Sequence, residues 1–413
     1  MMRPRLCRTG LRVGCAALLL NMQARSDAAV VLAASCSEAD VQTAIDAARA
    51  GDAVQLPAGT ATWTGEVAFR KGEYTYPHPL RSTAMIQNET VWHDTAGNEI
   101  WCNGGHIVRE GEVFYWVGYD TGPGRWPWRI NLYSSRNLTD WKLENTVIRM
   151  EGAFARMGWA GRPALLHCPA TGKYVIVFEA DSPSQWQRHK VGLAVCDRID
   201  GHYELADTLY PEGTRSTGDQ SVYQDGDKAY LLATMDKDIG GKKYLNQSLA
   251  IFELSKDFLR IKRKVFEGFD NVNGNTNKIP RDHSSREASH IIKVGGVYYW
   301  FSSGLVGWNS SATVYATAKD LAGPWSELKL LRTEPASKDS FNTQHDFVLP
   351  VTGSESTTYV YVGDRYSQWT KRGSGRNIFL PLTWENGEPL LRWSKNWRID
   401  MTTGRSLPLT QSR

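Results

Sequence analysis

The feature that most constrains this chain is a strand pattern that occurs five times. In each copy an apolar strand is followed by a tight turn containing Gly or Asp, and then by an aromatic-rich strand centred on a tyrosine. The five central tyrosines are Tyr115, Tyr174, Tyr230, Tyr299 and Tyr361. Their spacing of roughly 55–70 residues suits four strands and three turns, the unit of a radial array of sheets. The pattern therefore predicts an all-β fold, a five-bladed β-propeller.

The repeat also aligns residues that are distant in the sequence. The innermost strand of each blade begins about a dozen residues before the tyrosine, somewhat more in the last copy, and lines the central channel. The residues at this phase are Asn103, Gly161, Asp219, Glu287 and Gln344. Four of them are polar where an apolar strand start is the default, and such a ring can bind and cleave a small polar ligand. The alternative, that they are solvated residues at a channel mouth, stays open at this point.

Length and charge suggest one main domain and limit its partners. The chain has 413 residues, with 16 Trp, 17 Tyr and 12 Phe. Most of these rings should lie in the core, but aromatic side chains also suit stacking against sugar rings. The net charge of +4 is spread along the chain without a basic block, so neither nucleic acid nor a membrane is an expected partner. We expect a monomer.

The first 29 residues have the pattern of a secretory signal peptide. Four arginines precede a short apolar run, Cys15–Leu20, and cleavage is predicted near Ala24 or Ala29. The run is far shorter than the approximately 20 residues of a membrane-spanning helix. The expected location is therefore secreted or periplasmic. An irregular tail or a misassigned start is the alternative.

The next segment, residues 30–68, predicts a short helix and strand appendage. A helix is expected over Ser37–Ala50, with a plausible N-cap and with Val41, Ile45 and Ala48 at helical spacing. The segment resembles the N-terminal cap and first coil of right-handed β-helix proteins of the pectate-lyase type. One coil cannot bury its own apolar face, so the helix should either pack on the propeller or remain a loosely held appendage.

Residues 69–89, with their prolines, are the predicted linker, and residues 90–413 are the predicted catalytic propeller. Cys168 and Cys196 fall in one blade, and the sequence leaves open whether they pair. No cysteine or histidine cluster has metal-site spacing, so a structural zinc ion is not expected.

Glu287 is the strongest candidate for acid catalysis. A carboxylic acid at a strand start beside the channel can be kept protonated by partial burial and a nearby like charge, and can then protonate a leaving oxygen. Asp219, one blade earlier, would supply that charge. Arg286 should point to the opposite face of the strand. Either carboxylate alone could equally be a solvated surface group.

Several segments together resemble family 43 of the glycoside hydrolases, and within it the branch of exo-β-1,3-galactanases. The matching segments are VWHDTAGNEIWCNGGHI, AGRPALLHCPATGKYV, STGDQSVYQDGDKAY, SSREAS and SFNTQHDFVLP, followed by YVGDRYSQW and LPLTW. The resemblance covers about Thr90 to Ile399, nearly the whole predicted propeller. It implies a propeller that hydrolyses glycosidic bonds.

The resemblance assigns roles to the aligned polar residues. It makes Glu287 the general acid and Asp219 the carboxylate that orients it and keeps it protonated. Gln344 falls on the Gln that replaces the usual carboxylate base in this branch and holds the attacking water. Asn103 stands where other family members place an Asp base, so the usual pair of carboxylates of an inverting mechanism is missing.

Two further positions depart from the galactanase pattern. Tyr119 and Gly161 replace two glutamates that hold the hydroxyls of the terminal sugar in those enzymes, and His106 also departs from the family segment. Losing two charged acceptors should weaken or redirect sugar recognition. The resemblance therefore supports the reaction class more firmly than the identity of the sugar.

The predicted substrate-binding residues are Asn103, Tyr119, Trp308, Asn309 and Asp364. Trp308 and Asn309 match a T-G-W region of the family and are candidates for the floor of a subsite, although Trp308 would serve equally as rim packing. No organic cofactor is implied. Some family members hold a calcium ion in the channel, and no group of residues in this sequence specifies one.

These observations lead to two functional hypotheses. The first is an exported, exo-acting, inverting glycosidase that removes terminal galactosyl or arabinofuranosyl units from plant-type polysaccharides, similar to a galactan 1,3-β-galactosidase. The alternative is a catalytically impaired propeller that only binds carbohydrate. A protein-interaction propeller fits less well, because it gives the polar channel residues no purpose.

Overall fold

A computed structural model of the chain describes residues 11–15, 19–21, 30–48, 53–57, 59–63, 83–122, 129–181, 189–212, 214, 216–239, 242–269, 285–366 and 376–408. The chain divides into two compact units, residues 1–81 and residues 82–413.

The first unit contains one helix and five short strands. These are β1 (Leu11–Cys15), β2 (Leu19–Asn21), β3 (Val30–Leu32), α1 (Glu38–Ala47), β4 (Ala53–Gln55) and β5 (Gly59–Trp63). The strands β3 and β4 pair in parallel on either side of α1 in sequence, β2 pairs antiparallel with β4, and β1 pairs with β5. The strands β1 and β2 lie within the predicted signal peptide, and the other residues of 1–29 are outside the described residues.

The predicted helix is present and starts as expected. Ser37 is its N-cap, and the Ser37 side chain accepts a hydrogen bond from the backbone N–H of Asp40, which satisfies one of the free donors of the first turn. Val41 and Ile45 are buried. The helix ends at Ala47, before the predicted Ala50, because Ala48 has an extended backbone. In the part of the chain that the structure describes, no helix is long and apolar enough to cross a bilayer.

The second unit is an all-β propeller. Its first sheet comprises β7 (Asn103–Glu110), β8 (Val113–Tyr119), β9 (Ile130–Ser135) and β10 (Lys142–Ile148). Its second comprises β11 (Trp159–Cys168), β12 (Lys173–Asp181), β13 (Lys190–Cys196) and β14 (Glu204–Leu209), and a short 3-10 helix, Gly152–Arg156, precedes it. Its third comprises β15 (Thr217–Asp225), β16 (Lys228–Ile239), β17 (Lys242–Leu254) and β18 (Ile261–Gly268).

The remaining two large sheets follow the same order. The fourth comprises β19 (Arg286–Val294), β20 (Val297–Gly304), β21 (Val314–Ala318) and β22 (Lys329–Leu330). The fifth has five strands, which are β23 (Arg332–Glu334), β24 (Gln344–Thr352), β25 (Thr357–Asp364), β26 (Asn377–Glu385) and β27 (Glu388–Arg392). The strand β23 joins the outer edge of this sheet by parallel pairing with β27.

A sixth sheet corrects the predicted count of five. It is formed by β6 (Thr83–Gln87), β28 (Asn396–Asp400) and β29 (Ser406–Pro408). Its strands come from the two ends of the unit, so no local repeat in the sequence marks them. Ile86 and Trp397 pack in a hydrophobic cluster with residues of the first and fifth sheets. This pairing also places the end of the predicted linker, residues 83–87, in a sheet.

The inner strands form a closed ring around the axis, in which β7, β11, β15, β19 and β24 adjoin in turn and β24 adjoins β7. Each inner strand carries a β-bulge near its start, where one extra residue enters the ladder. A bulge bends its strand and changes the direction of nearby side chains. The bulges therefore lie at the starts of the five inner strands, where they can redirect side chains toward the channel.

Apolar side chains on both faces of the strands hold the blades together. In β12, Val175 and Val177 pack in a cluster with third-sheet residues, while Ile176 and Phe178 pack in a cluster with first-sheet residues. A strand that is buried on both sides reads as a continuous apolar run, as this one does. Burying each such side chain contributes about 1.5–3 kcal/mol.

Three cysteines of the described propeller residues, Cys102, Cys168 and Cys196, are free thiols. The blade pair considered from the sequence, Cys168 and Cys196, is therefore not a disulfide in this structure. Cys168 instead lies 3.4 Å from the carbonyl oxygen of Lys256.

Candidate active site

A pocket of about 180 Å³ lies where the inner strands of the propeller begin. Residues from all five large sheets line it. They are Tyr119, Trp159, Arg162, Glu179, His189, Asp219, Glu287, Gly307, Trp308, Gln344 and Tyr366. Pockets for drug-sized ligands measure about 300–1,000 Å³, so this pocket suits a smaller polar ligand.

Glu287 and Gln344 meet in the pocket, one from the fourth sheet and one from the fifth. The Gln344 Nε2 group donates a 2.8 Å hydrogen bond to Glu287 Oε1. Both side chains are buried, with residue exposures of 7% and 5%. A carboxyl group can donate one proton and accept further hydrogen bonds.

The neighbour Arg286 points away from Glu287, as the alternation of the strand predicts. Its Nη2 group donates to the carbonyl oxygens of Ser302 and Ala312, at 2.8 Å and 3.0 Å. Burial lowers the pKa of Arg286 to about 9. The guanidinium therefore binds the backbone behind the site, and the charge of Glu287 partly offsets the effect of burial on its pKa.

Arg162 is a buried cation between two carboxylates. Its Nη2 lies 2.9 Å from Asp346 Oδ1, and its Nε lies 3.7 Å from Asp219 Oδ1. Burial opposes the charged form, but the two carboxylates together raise the pKa of Arg162 well above its usual value. Neither Arg162 nor Asp346 was predicted as a site residue from the sequence, although Arg162 lies in the segment AGRPALLHC, which resembles the family.

Asp219 therefore lies in the pocket, as predicted, but it also faces Arg162. The cation balances part of the negative charge that Asp219 would otherwise present to Glu287. Asp219 is the extra residue of the bulge in β15, since Gly218 and Gln220 pair with successive residues of β16. The bulge allows this side chain to leave the ladder and reach the pocket.

Asn103 and Asp364 lie outside the pocket lining and bind each other. The Asn103 Nδ2 group donates to Asp364 Oδ1 at 2.9 Å, and Asn103 Oδ1 accepts from the Thr121 hydroxyl at 2.5 Å. Asp364 also accepts from the backbone N–H of Gly104 and from Asn377. Of the predicted substrate-binding residues, these two form an internal network instead of a wall of the pocket.

Two buried carboxyls of this network lie side by side. Burial and the neighbouring Asp364 raise the pKa of Asp346 well above its usual range, and burial raises the pKa of Asp364 as well. Two adjacent carboxyls that share a buried site do not both ionise readily. Asp346, the member of this pair that contacts Arg162, joins the fifth sheet to the second.

Four aromatic side chains form a closed circuit around one side of the pocket. Ring centroids are 5.8 Å apart for Tyr119 and Trp159, 5.8 Å for Trp159 and Trp308, 5.3 Å for Trp308 and Tyr366, and 6.2 Å for Tyr366 and Tyr119. The hydroxyl groups of Tyr119 and Tyr366 lie within 2.5 Å of each other. Tyr119 and Trp308 were predicted from the sequence, and Trp159 and Tyr366 were not. Such rings can stack on the apolar face of a sugar.

The second sheet adds a carboxylate and an imidazole that the sequence analysis missed. Glu179 lies on β12, and its Oε1 is 3.1 Å from Nδ1 of His189. Glu179 pairs across the ladder with Gly161. No repeat-based signal selects Glu179, because it lies on the second strand of its blade and not on the inner one.

Asn309, the remaining predicted residue, is exposed. Its side chain donates to the carbonyl oxygen of Val306 and does not line the pocket. Within the described ranges, no group of three or more His, Cys, Asp or Glu side chains is arranged to hold a metal ion.

Two buried histidines, His290 and His345, and the partly buried His106 lie near the axis, close to the bulges. The rings of His106 and His290 are 5.9 Å apart, and His345 Nδ1 lies 3.1 Å from the carbonyl oxygen of Ala288. Burial lowers the pKa of His106 to about 4 and that of His345 to about 3, and it also lowers the pKa of His290. These side chains are neutral in the folded protein near pH 7.

Comparison with known proteins places this pocket in context. The structure is similar to an exo-beta-1,3-galactanase from Clostridium thermocellum, with 25% sequence identity and a TM-score of 0.68, over 79% of this chain and 69% of that one. An exo-beta-1,3-galactanase from Phanerochaete chrysosporium, solved with galactose, gives the same identity and TM-score over 79% and 71% of the two chains. A putative exo-beta-1,3-galactanase from Bifidobacterium bifidum s17 is 28% identical, with a TM-score of 0.60 over 74% and 95%.

A search of curated protein sequences found no match. The model of glycosyl hydrolases family 43, however, matches residues 105–389, which is more than half of the chain and spans Asp219, Glu287 and Gln344. The pocket residues and the fold agree with this match. The chain belongs to family 43 of the glycosyl hydrolases.

Proposed function

We propose that this protein is an exported, exo-acting glycosidase that removes terminal β-1,3-linked galactosyl units with inversion at the anomeric carbon. The observation that carries the proposal is the contact of Glu287 with Gln344 inside a small pocket. Structural neighbours named as exo-beta-1,3-galactanases support the linkage and the sugar. The basic and apolar N-terminal pattern supports export.

Glu287 is the proposed general acid. Its carboxyl lines the pocket beside Gln344, where it can donate a proton to the glycosidic oxygen of a bound substrate. Proton donation of this kind assists departure of the leaving group. The C1–O bond breaks as the proton moves to the leaving oxygen.

Gln344 is the proposed holder of the attacking water. Its amide group has both a donor and an acceptor. The donor contacts Glu287, and the carbonyl oxygen can accept a hydrogen bond from water. Asn103, the other candidate, is bound to Asp364 and Thr121. The oxygen of water bonds to C1 on the face opposite the leaving group, the proton that water loses passes to solvent, and solvent returns a proton to Glu287.

A small pocket with an aromatic side favours an exo action. The four rings from Tyr119 to Tyr366 contact one another in a circuit, so they close the site on that side. A volume of about 180 Å³ suits one sugar better than a segment of polymer. The chain end would therefore enter the pocket and present its terminal linkage to Glu287.

A terminal arabinofuranosyl unit is the second substrate candidate, and a carbohydrate-binding propeller without turnover is the alternative function. Tyr119 and Gly161, at positions where the galactanase pattern has glutamates, favour these alternatives. The base position is also an amide, Asn103, and that side chain is already bonded. The differences at Tyr119, Gly161 and Asn103 leave the proposed acid, Glu287, in place.

The proposal is tested by the products that the purified protein forms. β-1,3-Galactan oligomers, arabinan oligomers and a panel of aryl glycosides are the substrates, and NMR follows the first anomer released. Early appearance of α-galactose from a β-linked oligomer would support inverting, exo-acting galactosidase activity. Release of arabinose would change the sugar, and release of β-galactose would contradict inversion. Sugar binding with no hydrolysis of any substrate would favour the binding propeller.

A further inference from the structure

The second sheet presents a carboxylate to the pocket from an unexpected strand. Glu179 is on β12, the second strand of its blade, whereas Asp219, Glu287 and Gln344 are on inner strands. It nevertheless lines the same pocket and is 4% exposed. A carboxylate is rarely buried to this extent without a partner or a function.

The backbone explains how Glu179 reaches the pocket. Gly161 is its cross-strand neighbour in the ladder of β11 and β12. A Cβ atom at position 161 would lie 2.5 Å from Cζ2 of Trp159, so the Trp159 ring occupies the space that a side chain at 161 would need. The inner strand therefore contributes an indole ring here, and the adjacent strand contributes the carboxylate.

His189 positions the Glu179 carboxylate. Its Nδ1 is 3.1 Å from Glu179 Oε1, and both side chains line the pocket. An ionised carboxylate has about four lone-pair sites. Because Glu179 lines the pocket, its carboxylate oxygens can accept hydrogen bonds from the hydroxyl groups of a ligand.

We propose that Glu179, positioned by His189, is a specificity-determining residue that accepts hydrogen bonds from hydroxyl groups of the terminal sugar. The assignment rests on the proposed function, since it takes the ligand of this pocket to be a glycoside. Arg162 and Asp219 supply further polar groups on this side, and Trp159 supplies an apolar face. The second sheet would then bind the sugar, while the fourth and fifth sheets cleave its linkage.

Calorimetric titration of the full-length protein with D-galactose and its 2-, 3-, 4- and 6-deoxy analogues tests the assignment. Glu179→Gln keeps the shape and removes the charge, and should weaken galactose binding about 10-fold to 100-fold, as expected for hydrogen bonds to a charged group. At least one deoxy analogue should bind wild type and the variant almost equally, because it lacks the hydroxyl that Glu179 accepts.

Two further variants make the test specific. Glu253→Gln is the matched control, because Glu253 is a similarly buried strand glutamate that is paired with Lys262 and Arg263 and does not line the pocket. It should leave galactose affinity unchanged. His189→Ala retains the carboxylate and should cause a smaller loss than Glu179→Gln, and it serves as the second probe if Glu179→Gln does not fold.

Several results would overturn the assignment. One is that, for every deoxy analogue, loss of the hydroxyl weakens binding by the same factor in wild type and in Glu179→Gln. Another is that the wild-type protein does not bind galactose. Restoration of Glu179→Gln turnover by azide would also contradict it, because azide replaces a general base and not a binding group. Failure of the proposed function would give a different result, in which wild type binds galactose with the expected dependence on Glu179 but hydrolyses no oligomer.

Discussion

The first and fourth sheets begin with the same backbone arrangement but place their first polar side chain in different surroundings. Asn103 and Glu287 each precede a bulge and pair with residues near the end of the next strand, Tyr119 and Ser303. In the first sheet, a Cβ on Gly104 would lie only 2.2 Å from the Tyr119 ring, which therefore packs tightly on this strand. In the fourth sheet the partner is a small serine.

The difference teaches that the repeat sets backbone position, whereas the cross-strand neighbour decides access to the pocket. Tyr119 lines the pocket in the first sheet, and Asn103 bonds to Asp364 and Thr121. Glu287 itself lines the pocket in the fourth sheet. The comparison predicts that polar residues of the fourth and fifth sheets act in turnover, whereas those of the first sheet act in stability.

Replacing the acid should have the largest effect. We expect Glu287→Gln to lower turnover of substrates with poor leaving groups by about 10²–10⁴-fold, because general acid catalysis is lost. Substrates with good leaving groups should be less affected, and sugar binding should survive. Steady-state kinetics on a series of aryl glycosides measures this dependence, with Glu253→Gln as the control. A uniform loss across all leaving groups would remove Glu287 from the acid role.

Removing the amide of the fifth sheet should have the next largest effect. Gln344→Ala should lower turnover by about 10²-fold, the order expected when a reacting group is misplaced by about 1 Å. Gln220→Ala is the matched control, since Gln220 is equally buried but does not line the pocket. Single-turnover rates should separate the two variants. Equal rates for both would show that the contact with Glu287 is structural.

In the first sheet, loss of a side chain should reduce stability and leave turnover close to wild type. Asn103→Ala removes the hydrogen bonds of Asn103 to Asp364 and to the buried Thr121 hydroxyl, which should cost about 1–3 kcal/mol of unfolding free energy. Asn309→Ala, at the exposed site, should cost almost nothing. Urea unfolding measures both variants. A variant at Asn103 with wild-type stability and no activity would break the comparison between the sheets.

The lowered pKa of His106 predicts how the free energy of unfolding depends on pH. The pKa of His106 is about 4 in the folded protein and near 6.5 when unfolded. The unfolded state therefore binds more protons between these values, and stability falls as pH decreases from about 6.5 toward 4. For His106 alone the loss from pH 7 to pH 5 is about 2 kcal/mol.

The variant His106→Phe tests this contribution to the pH dependence of the unfolding free energy. Since a phenylalanine does not titrate, His106→Phe should reduce by about 2 kcal/mol the difference in unfolding free energy between pH 7 and pH 5. Urea unfolding at the two pH values gives this difference. An undiminished pH dependence in the variant would show that His106 does not contribute to it.

Much of the fold followed from the sequence because propeller blades are local. Each large sheet contains consecutive strands, so one stretch of chain encodes its turns and its apolar pattern. Tyr115, Tyr174, Tyr230, Tyr299 and Tyr361 all lie in second strands, as the repeat predicted. The family 43 assignment is likewise supported by the match over residues 105–389.

The sequence could not determine contacts that join distant segments. The sixth sheet pairs Thr83–Gln87 with Asn396–Asp400, and these segments share no repeat. Glu179 lines the pocket from a second strand, beside the point where the Trp159 ring covers Gly161. Asn103 shared the phase of Glu287, but its bonds to Asp364 and Thr121 hold it in an internal network. The sequence by itself determined the strands, the repeat and the family. Only the tertiary structure decided which polar groups line the pocket, because this depends on the size of side chains across each ladder and on neighbours hundreds of residues away.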